Sequence, residues 1–121
     1  RALSDETRLR IVSLVAQAED LCSCEIEAIL GLRQSNTSRH LSRLRQAGVL
    51  EARKAAQWMH YRIGKADASS ASLIAEIVRA GRKTIPALSG DLERLSHYRC
   101  SGYSCETIRE WQANADFEVE G

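Results

Sequence analysis

The sequence predicts a mainly α-helical domain with one β-hairpin, arranged as a winged helix-turn-helix, and three observations lead to this. Residues 24–32 and 34–50 show two short helical patterns joined by a tight turn at residues 31–34. Residues 49–53 and 57–63 then alternate apolar and polar positions, as the two strands of a hairpin do. Further helical patterns before and after this unit provide the surfaces on which it packs.

The first helix is expected over residues 3–19. Ser4 is the predicted N-cap, and Asp5 and Glu6 lie near the positive end of the helix dipole. An apolar face along this helix is expected to pack beneath the helix-turn-helix. Residues 20–24 interrupt the helical pattern with polar residues and two cysteines, just before the next helix begins.

Residues 34–50 supply the second helix of the helix-turn-helix, with Ser35 as its predicted N-cap. Thr37, Leu41 and Leu44 recur at spacings of four and three, so they share the buried face. The start of this helix and its outer face carry hydrogen-bonding side chains and no acidic residue. These residues are Gln34, Ser35, Asn36, Ser38, Arg39, His40, Ser42, Arg43 and Arg45. Such groups suit phosphates and base edges of double-stranded DNA, and the second helix of such a unit enters the major groove. The alternative is an ordinary solvated helix face.

The hairpin is expected to act as a wing that contacts phosphates or the adjacent minor groove. Its candidate contact residues are Arg53, Lys54, Gln57 and Arg62. The charge distribution supports this interface. Residues 33–62 carry seven Lys or Arg against one acid, a net charge of +6, whereas the rest of the chain carries ten against fifteen, or −5. Attraction to a polyanion is therefore local and salt-dependent. The alternative is a hairpin that only covers the core.

Two apolar stripes follow the hairpin: Leu73, Ile74, Ile77 and Val78, then Leu88, Leu92 and Leu95. Little of the domain remains to cover them, so we expect a homodimer through the N- and C-terminal helices. Two-fold symmetry would place two recognition helices one turn of DNA apart, as an inverted-repeat operator requires. Intramolecular packing on the first helix is the alternative. Residues 1–99 are thus expected to form the DNA-binding and dimerisation domain, and residues 100–121 a cysteine-containing tail with a mobile acidic end.

The four cysteines, Cys22, Cys24, Cys100 and Cys105, are expected to be ligands or sensors rather than structural disulfides. No apolar run reaches the length of a membrane span and no signal-peptide pattern opens the chain, so a cytoplasmic protein without membrane contact is expected.

Cys22 and Cys24 can share one ion only where the helix is irregular, since residues two apart in a regular helix point about 200° apart. The break at residues 20–24 provides that irregularity, and a helix N-terminus lowers thiol pKa. Soft thiolates select soft metals and metalloids. The alternatives are two small core residues, or a thiol-redox or persulfide sensor in which two cysteines form a bridge.

The sequence does not indicate an enzyme. It holds no phosphate loop, no G-x-S-x-G and no His-Glu-x-x-His, and no nucleophile is paired with a base at a recognisable spacing. A winged helix that binds only proteins is a third class, against which the +6 segment argues.

Several segments together resemble the ArsR/SmtB family of winged-helix metalloregulatory repressors. They are residues 3–10 (LSDETRLR), 20–25 (DLCSCE), 35–44 (SNTSRHLSRL) and 58–62 (WMHYR), and the resemblance covers about residues 1–95. It implies a homodimer that binds an inverted-repeat operator and releases it when a soft metal or metalloid binds. In the arsenic/antimony-responsive branch, and in the cadmium/lead-responsive branch, a Cys-x-Cys at this position carries the inducer.

Cys22 and Cys24 match that Cys-x-Cys, but the sequence departs from the family pattern elsewhere. Glu27 stands where the arsenic branch often has a third cysteine, and Ala56 stands in the wing turn, where the family tends to have glycine. The expected inducer is As(III) or Sb(III), alternatively Cd(II) or Pb(II). The expected site joins the first two cysteines to Cys100 or Cys105 of either chain, and a separate site on those last two is the alternative.

Overall fold

The computed structural model describes residues 5–65 and 68–114, which form a helical domain with one small antiparallel sheet. In chain order the elements are α1 (Glu6–Ala18), β1 (Leu21–Cys22), α2 (Ser23–Leu30), α3 (Gln34–Gln46), β2 (Leu50–Ala55), β3 (Trp58–Ile63), α4 (Ala68–Thr84), α5 (Pro86–Ser101) and α6 (Ile108–Asn114). The strands lie in the order β1, β3, β2.

Helix α1 supplies the centre of the core. Ile11, Val12, Leu14 and Val15 are completely buried. The predicted N-cap at Ser4 is wrong: that residue lies outside the described part, and Asp5 caps the helix. The Asp5 carboxylate accepts from the backbone N–H of the third residue after it at 3.2 Å. This satisfies one of the free donors that every helix start leaves.

Helices α2 and α3 form the predicted helix-turn-helix. Gly31 ends α2 in the left-handed conformation, with φ of 71°. The N-cap of α3 is Arg33 rather than the predicted Ser35, which lies in the first turn. The hydrogen bonds of the helix start two residues earlier than predicted, because the backbone N–H and the hydroxyl of Thr37 both donate to the Arg33 carbonyl, at 3.0 and 2.9 Å. Thr37, Leu41 and Leu44 are buried as predicted.

The hairpin of β2 and β3 turns at Ala56–Gln57 rather than at residues 54–56, so β2 ends two residues later and β3 begins one residue later than predicted. Ala55 and Trp58 are paired directly across the turn. Ala56 takes φ of 56°, so an alanine occupies a conformation that usually favours glycine. Strand β1 was not predicted from the sequence. This two-residue strand pairs Leu21 with Tyr61 and Cys22 with His60, which extends the wing's sheet into the segment predicted as a break.

The C-terminal helices pack partly on the core and partly face outward. Leu88 and Leu95 of α5 are buried within the chain, so intramolecular packing accounts for them. On α4, Val78 is buried but Leu73 is 61% exposed. Among the described helices, none combines the length and hydrophobicity that crossing a bilayer requires.

The segment predicted as a tail is largely part of the domain. Helix α5 runs past residue 99 to Ser101, and α6 follows. Ile108 and Trp111 of α6 are each 3% exposed, and Tyr98 meets Trp111 edge-on with ring centroids 5.1 Å apart. The apolar spacing in this short helix is too brief to be recognised in the sequence. The acidic end, residues 115–121, lies outside the described residues.

An ion pair joins α1, α5 and the end of α2. Two guanidinium nitrogens of Arg10 donate to the two carboxylate oxygens of Asp91 at 2.9 and 2.8 Å. The Arg10 Nη2 also donates to the Leu30 carbonyl at 3.3 Å. The orientation of the helix-turn-helix is thereby tied to the helices that follow the wing.

Candidate nucleic-acid interface and metal centre

The outer face of α3 presents a polar, positively charged surface. The exposed residues of this face are Gln34, Ser35, Ser38, Arg39, Ser42, Arg43 and Arg45. Asn36 is half-buried, and its side-chain oxygen accepts from Arg39 Nη2 at 2.6 Å. That bond fixes the Arg39 guanidinium on the surface of the helix. The described face therefore offers several donors in a row to an anionic partner.

His40 is the exception among the predicted contact residues of α3. It is only 6% exposed and lies on the buried side of the helix. The reason is helical spacing, since His40 is three residues after Thr37 and four before Leu44, both of which are buried. The expectation of an outward His40 is therefore corrected.

The four predicted wing residues Arg53, Lys54, Gln57 and Arg62 are all exposed. Two of them are held by acids. Arg53 Nη2 donates to Asp20 Oδ2 at 2.8 Å, and Arg62 Nε donates to Glu51 Oε1 at 3.2 Å.

The pKa values of these two acids are lowered. Burial alone would raise the pKa of Asp20, but its hydrogen bonds to His60 and Arg53 hold it below the ordinary value. The pKa of Glu51 is lowered by the backbone N–H of Lys65 and by Arg62. Both acids are thus ionised partners that orient wing arginines.

A pair of thiols lies where β1 meets α2. The Sγ atoms of Cys22 and Cys105 are 2.7 Å apart, and Cys22 is completely buried. Cys22 is the N-cap of α2 with extended backbone, whereas Cys105 lies in the turn between α5 and α6. Folding therefore brings together two cysteines that are 83 residues apart in the chain.

Glu25 and Tyr98 surround this thiol pair. Glu25 Oε1 accepts from the Cys22 backbone N–H at 2.9 Å, and Oε2 accepts from the Tyr98 hydroxyl at 2.6 Å. One potential ligand atom from each of Cys22, Glu25 and Cys105 lies within 4.8 Å of the others. Glu25 stands three residues after the N-cap, and this capping-box spacing is the sequence signal that could have indicated it. No local signal in the sequence indicates Tyr98.

The expected low thiol pKa is wrong for Cys22. Burial raises the pKa of Cys22, and its hydrogen bond with Cys105 and the charge of Glu25 add to that effect. Burial also raises the pKa of Cys105. The helix N-terminus does not compensate for the lost solvation. Both thiols are therefore protonated near neutral pH, and binding an ion as thiolates would release protons.

The other two predicted ligands, Cys24 and Cys100, differ in burial, and neither belongs to the group of Cys22, Glu25 and Cys105 among the described residues. Cys24 lies in the first turn of α2, half-buried against the core, and a charge on it would raise the pKa of Cys105. Within the described residues, Cys24 is not one of the residues whose ligand atoms lie within 4.8 Å of one another, which are Cys22, Glu25 and Cys105. Cys100 is exposed on α5, and among the described residues that group does not include it either. The structure thus brings Cys105, and not Cys100, to Cys22.

Comparison with known proteins identifies the family. A family model described as "Bacterial regulatory protein, arsR family" matches residues 5–52. Over 105 residues the chain is 37% identical to the arsenical resistance operon repressor of Escherichia coli, covering 86% of this chain and 87% of that repressor. The chain belongs to the ArsR family. The predicted family is confirmed, and so is the prediction that the chain is not an enzyme, since these relatives are transcriptional regulators.

Other known proteins resemble this chain over a shorter stretch of sequence or in the fold. The arsenic resistance transcriptional regulator ArsR1 of Pseudomonas putida is 44% identical over 63 residues, which is 52% of this chain and 49% of that protein. Among solved structures, the AntR antimony-specific transcriptional repressor has a TM-score of 0.58 at 26% identity, with 70% of this chain and 71% of that chain covered. Reduced HlyU from Vibrio cholerae has a TM-score of 0.58 at 30% identity, with 69% and 82% covered. The predicted winged helix-turn-helix fold is confirmed.

Proposed function

We propose that this ArsR-family protein is a DNA-binding repressor that releases its operator when As(III) or Sb(III) binds thiolates of Cys22, Cys24 and Cys105. The observation that carries the proposal is the approach of the Cys22 and Cys105 sulfurs to 2.7 Å at the start of α2, directly before the DNA-binding helix in the chain. Relatives named for arsenical and cadmium resistance, and a structural neighbour named for antimony, support it.

The DNA interface is formed by α3 and the wing. Arg39, Arg43 and Arg45 face outward with the serines between them, so the helix offers donors to base edges and to phosphates. Arg53 and Arg62 lie on the hairpin, where a neighbouring phosphate or minor groove is within reach of a wing. Helix-turn-helix regulators of this family bind operator DNA.

A second copy of the chain completes the proposed assembly. Leu73 is 61% exposed on α4, and Ile74 and Ile77 beside it are only half-buried. An open groove of about 470 Å³ lies next to this stripe and is lined partly by α1. A two-fold contact through these helices would bury the stripe and present α3 twice to an inverted repeat.

The thiol site suits a soft ion by the chemistry of its donors. The sulfur atoms of Cys22 and Cys105 are adjacent, and Cys24 follows Cys22 by two residues in the sequence. The hard oxygen ligand within reach, Glu25, is already engaged by the Cys22 N–H and by Tyr98. Thiolates select soft metals and metalloids over hard cations, and a bound As(III) or Sb(III) would supply strong bonds to sulfur.

Operator release follows from the position of Cys22. It is the N-cap of α2, and its N–H is fixed by Glu25, so a change in the Cys22 backbone alters the start of α2. Helix α2 packs on α3 within the helix-turn-helix, and its end is held by Arg10. A displacement of α2 therefore changes how α3 meets the major groove. Coupling between two sites is typically about 1–3 kcal/mol, which here would change operator affinity by about 5- to 150-fold.

The test compares two cysteine variants that differ only in their place in the fold. Operator binding is measured by fluorescence anisotropy at fixed salt, with and without arsenite. Cys105→Ser should no longer release the operator on arsenite addition, whereas the matched control Cys100→Ser should release it as the unaltered protein does. Both variants should bind DNA normally without arsenite, because neither cysteine lies on the DNA face.

Retention of full arsenite response by Cys105→Ser would contradict the proposed site, and so would its loss in Cys100→Ser alone. Antimonite should act like arsenite. A stronger response to Cd(II) or Pb(II) at equal free concentration would assign the protein to the cadmium/lead-responsive type.

Sedimentation equilibrium tests the proposed dimer, and Leu73→Glu should weaken the dimer by placing a charge on the exposed stripe.

A thiol-redox sensor is the second candidate, and the same sulfur distance favours it. Cys22 and Cys105 would each lose one proton and one electron to a two-electron oxidant such as hydrogen peroxide, forming a disulfide while the peroxide is reduced to water. Mass spectrometry separates the two functions. A disulfide lowers the mass by two hydrogen atoms, whereas an arsenic adduct raises it. Operator release by peroxide but not by arsenite would favour the redox function.

A further inference from the structure

Asp20 lies where the thiol site meets the wing. It is two residues before Cys22 in the chain. Its Oδ1 lies 2.7 Å from Nδ1 of His60, and its Oδ2 accepts from Nη2 of Arg53 at 2.8 Å. One carboxylate therefore joins both strands of the wing to the segment that carries the buried thiol.

The strand register places Cys22, His60 and Arg53 in one row across the sheet. Cys22 of β1 is paired with His60 of β3, and His60 is paired with Arg53 of β2. Neighbouring strands are about 4.7–4.9 Å apart, so only about 10 Å of sheet separates the thiol's backbone from that of the wing arginine. The Arg53 side chain is 52% exposed and faces the solvent side of the wing.

We propose that Asp20 is a positioning residue that couples the Cys22–Cys105 thiol site to the wing, by holding Arg53 and His60 in the arrangement that binds the operator. This inference rests on the proposed function. Strand β1 has only two residues, so a displacement of Cys22 shifts Asp20 with it. The carboxylate then leaves Arg53, and the wing loses the arrangement that the described structure shows.

The wing contains a matched control for this role. Glu51 also binds a wing arginine, through its bond to Arg62 Nε at 3.2 Å, but it lies on β2, which in the described part of the chain is paired with β3 and not with β1. Asp20→Asn and Glu51→Gln each remove one negative charge beside one exposed arginine. Their direct electrostatic effects on DNA affinity are therefore similar, and only Asp20→Asn interrupts the path from the thiols.

Operator affinity is measured by anisotropy with and without arsenite, and the ratio of the two values reports the coupling. For Asp20→Asn we expect that ratio to fall by about 2- to 30-fold relative to the unaltered protein, the range that residues along a coupling path produce. Glu51→Gln should keep the ratio, and Asp20→Glu, which retains the carboxylate, should restore part of it. Arsenite binding, followed by its thiolate absorption band, should be unchanged in all three.

Hydrogen exchange of residues 50–63 provides a readout that does not depend on DNA. Arsenite should increase exchange of the wing in the unaltered protein and in Glu51→Gln. In Asp20→Asn exchange should already be raised without arsenite and should change little when it is added. If Asp20→Asn does not fold, His60→Asn breaks the other arm of the same bridge and should give the same pattern.

Two results would overturn the role of Asp20. One is a full coupling ratio in Asp20→Asn together with a normal arsenite response of wing exchange. The other is loss of arsenite binding itself, which would make Asp20 a support of the thiols rather than a link to the wing. Failure of the proposed function is distinguishable, because the unaltered protein would then bind arsenite without releasing the operator, while the exchange comparison would still report on Asp20.

Discussion

Removing one partner of the Arg10–Asp91 pair should destabilise the domain substantially. The Asp91 side chain is 3% exposed and that of Arg10 is 19% exposed, with two direct hydrogen bonds between them. Truncating one member of a buried pair costs about 3–5 kcal/mol, because the other charge is left without its partner. Arg10 keeps some access to water, so we expect Asp91→Ala to cost about 3 kcal/mol, at the lower end of that range. A domain of this kind is stable by about 5–15 kcal/mol, so this loss is a large fraction.

Urea unfolding followed by circular dichroism measures this loss, at one protein concentration because the proposed dimer contributes to stability. With a slope of about 1–3 kcal/mol per molar urea, the midpoint should fall by about 1–3 M. Glu76→Ala, which removes the exposed partner of Arg79, is the control and should cost about 0–1 kcal/mol. The double variant Arg10→Met/Asp91→Leu should recover much of the loss, since no buried charge remains unpaired. A loss below about 1 kcal/mol for Asp91→Ala, with an unchanged slope, would refute the reasoning.

Three further predictions concern DNA binding, a helix cap and close packing. Arg43→Ala should weaken operator binding several-fold and lower the slope of log affinity against log salt by about 0.9 if its partner is a phosphate, whereas exposed Lys83→Ala should leave that slope unchanged. Asp5→Ala should cost about 1 kcal/mol at pH 7 in thermal unfolding. Burial alone would raise the Asp5 pKa, but the backbone N–H of Arg8 and the charge of His40 hold it below its ordinary value. Its stabilisation is therefore present above pH 3.8 and is lost as the pH falls through the folded-state pKa, where variant and unaltered protein should converge. Gly64→Ala should cost about 1–3 kcal/mol in urea unfolding, because the new methyl group would overlap the Gly48 carbonyl oxygen.

The sequence was sufficient for the helix-turn-helix and the hairpin, because periodicity is a local property. Thr37, Leu41 and Leu44 recur at helical spacing, and their burial follows directly. The same rule applied strictly would also have placed His40 on the inner face. Cap positions were less predictable. Ser35 has the right side chain for a cap, but Thr37 already bonds to the carbonyl of Arg33, which moves the start of the helix.

The thiol site required the tertiary fold. Nothing in the spacing between Cys22 and Cys105 indicates that they meet, since contacts across 83 residues depend on how α5 and α6 return to the domain. The two-residue β1 is likewise too short to produce an alternating pattern, so its pairing with β3 was invisible. The raised thiol pKa depends on burial, which the helix-terminus rule alone does not include.

The anchoring of α6 separates two properties of this repressor along its chain. Ile108 and Trp111 fasten the stretch that carries Cys105, while the helix proposed to choose the operator, α3, lies about sixty residues earlier. Under the proposed function, exchanging residues 102–114 between relatives should therefore alter which ion triggers release while the preferred operator stays the same. On that proposal, recognition of the signal and recognition of the promoter are free to diversify independently within this small domain.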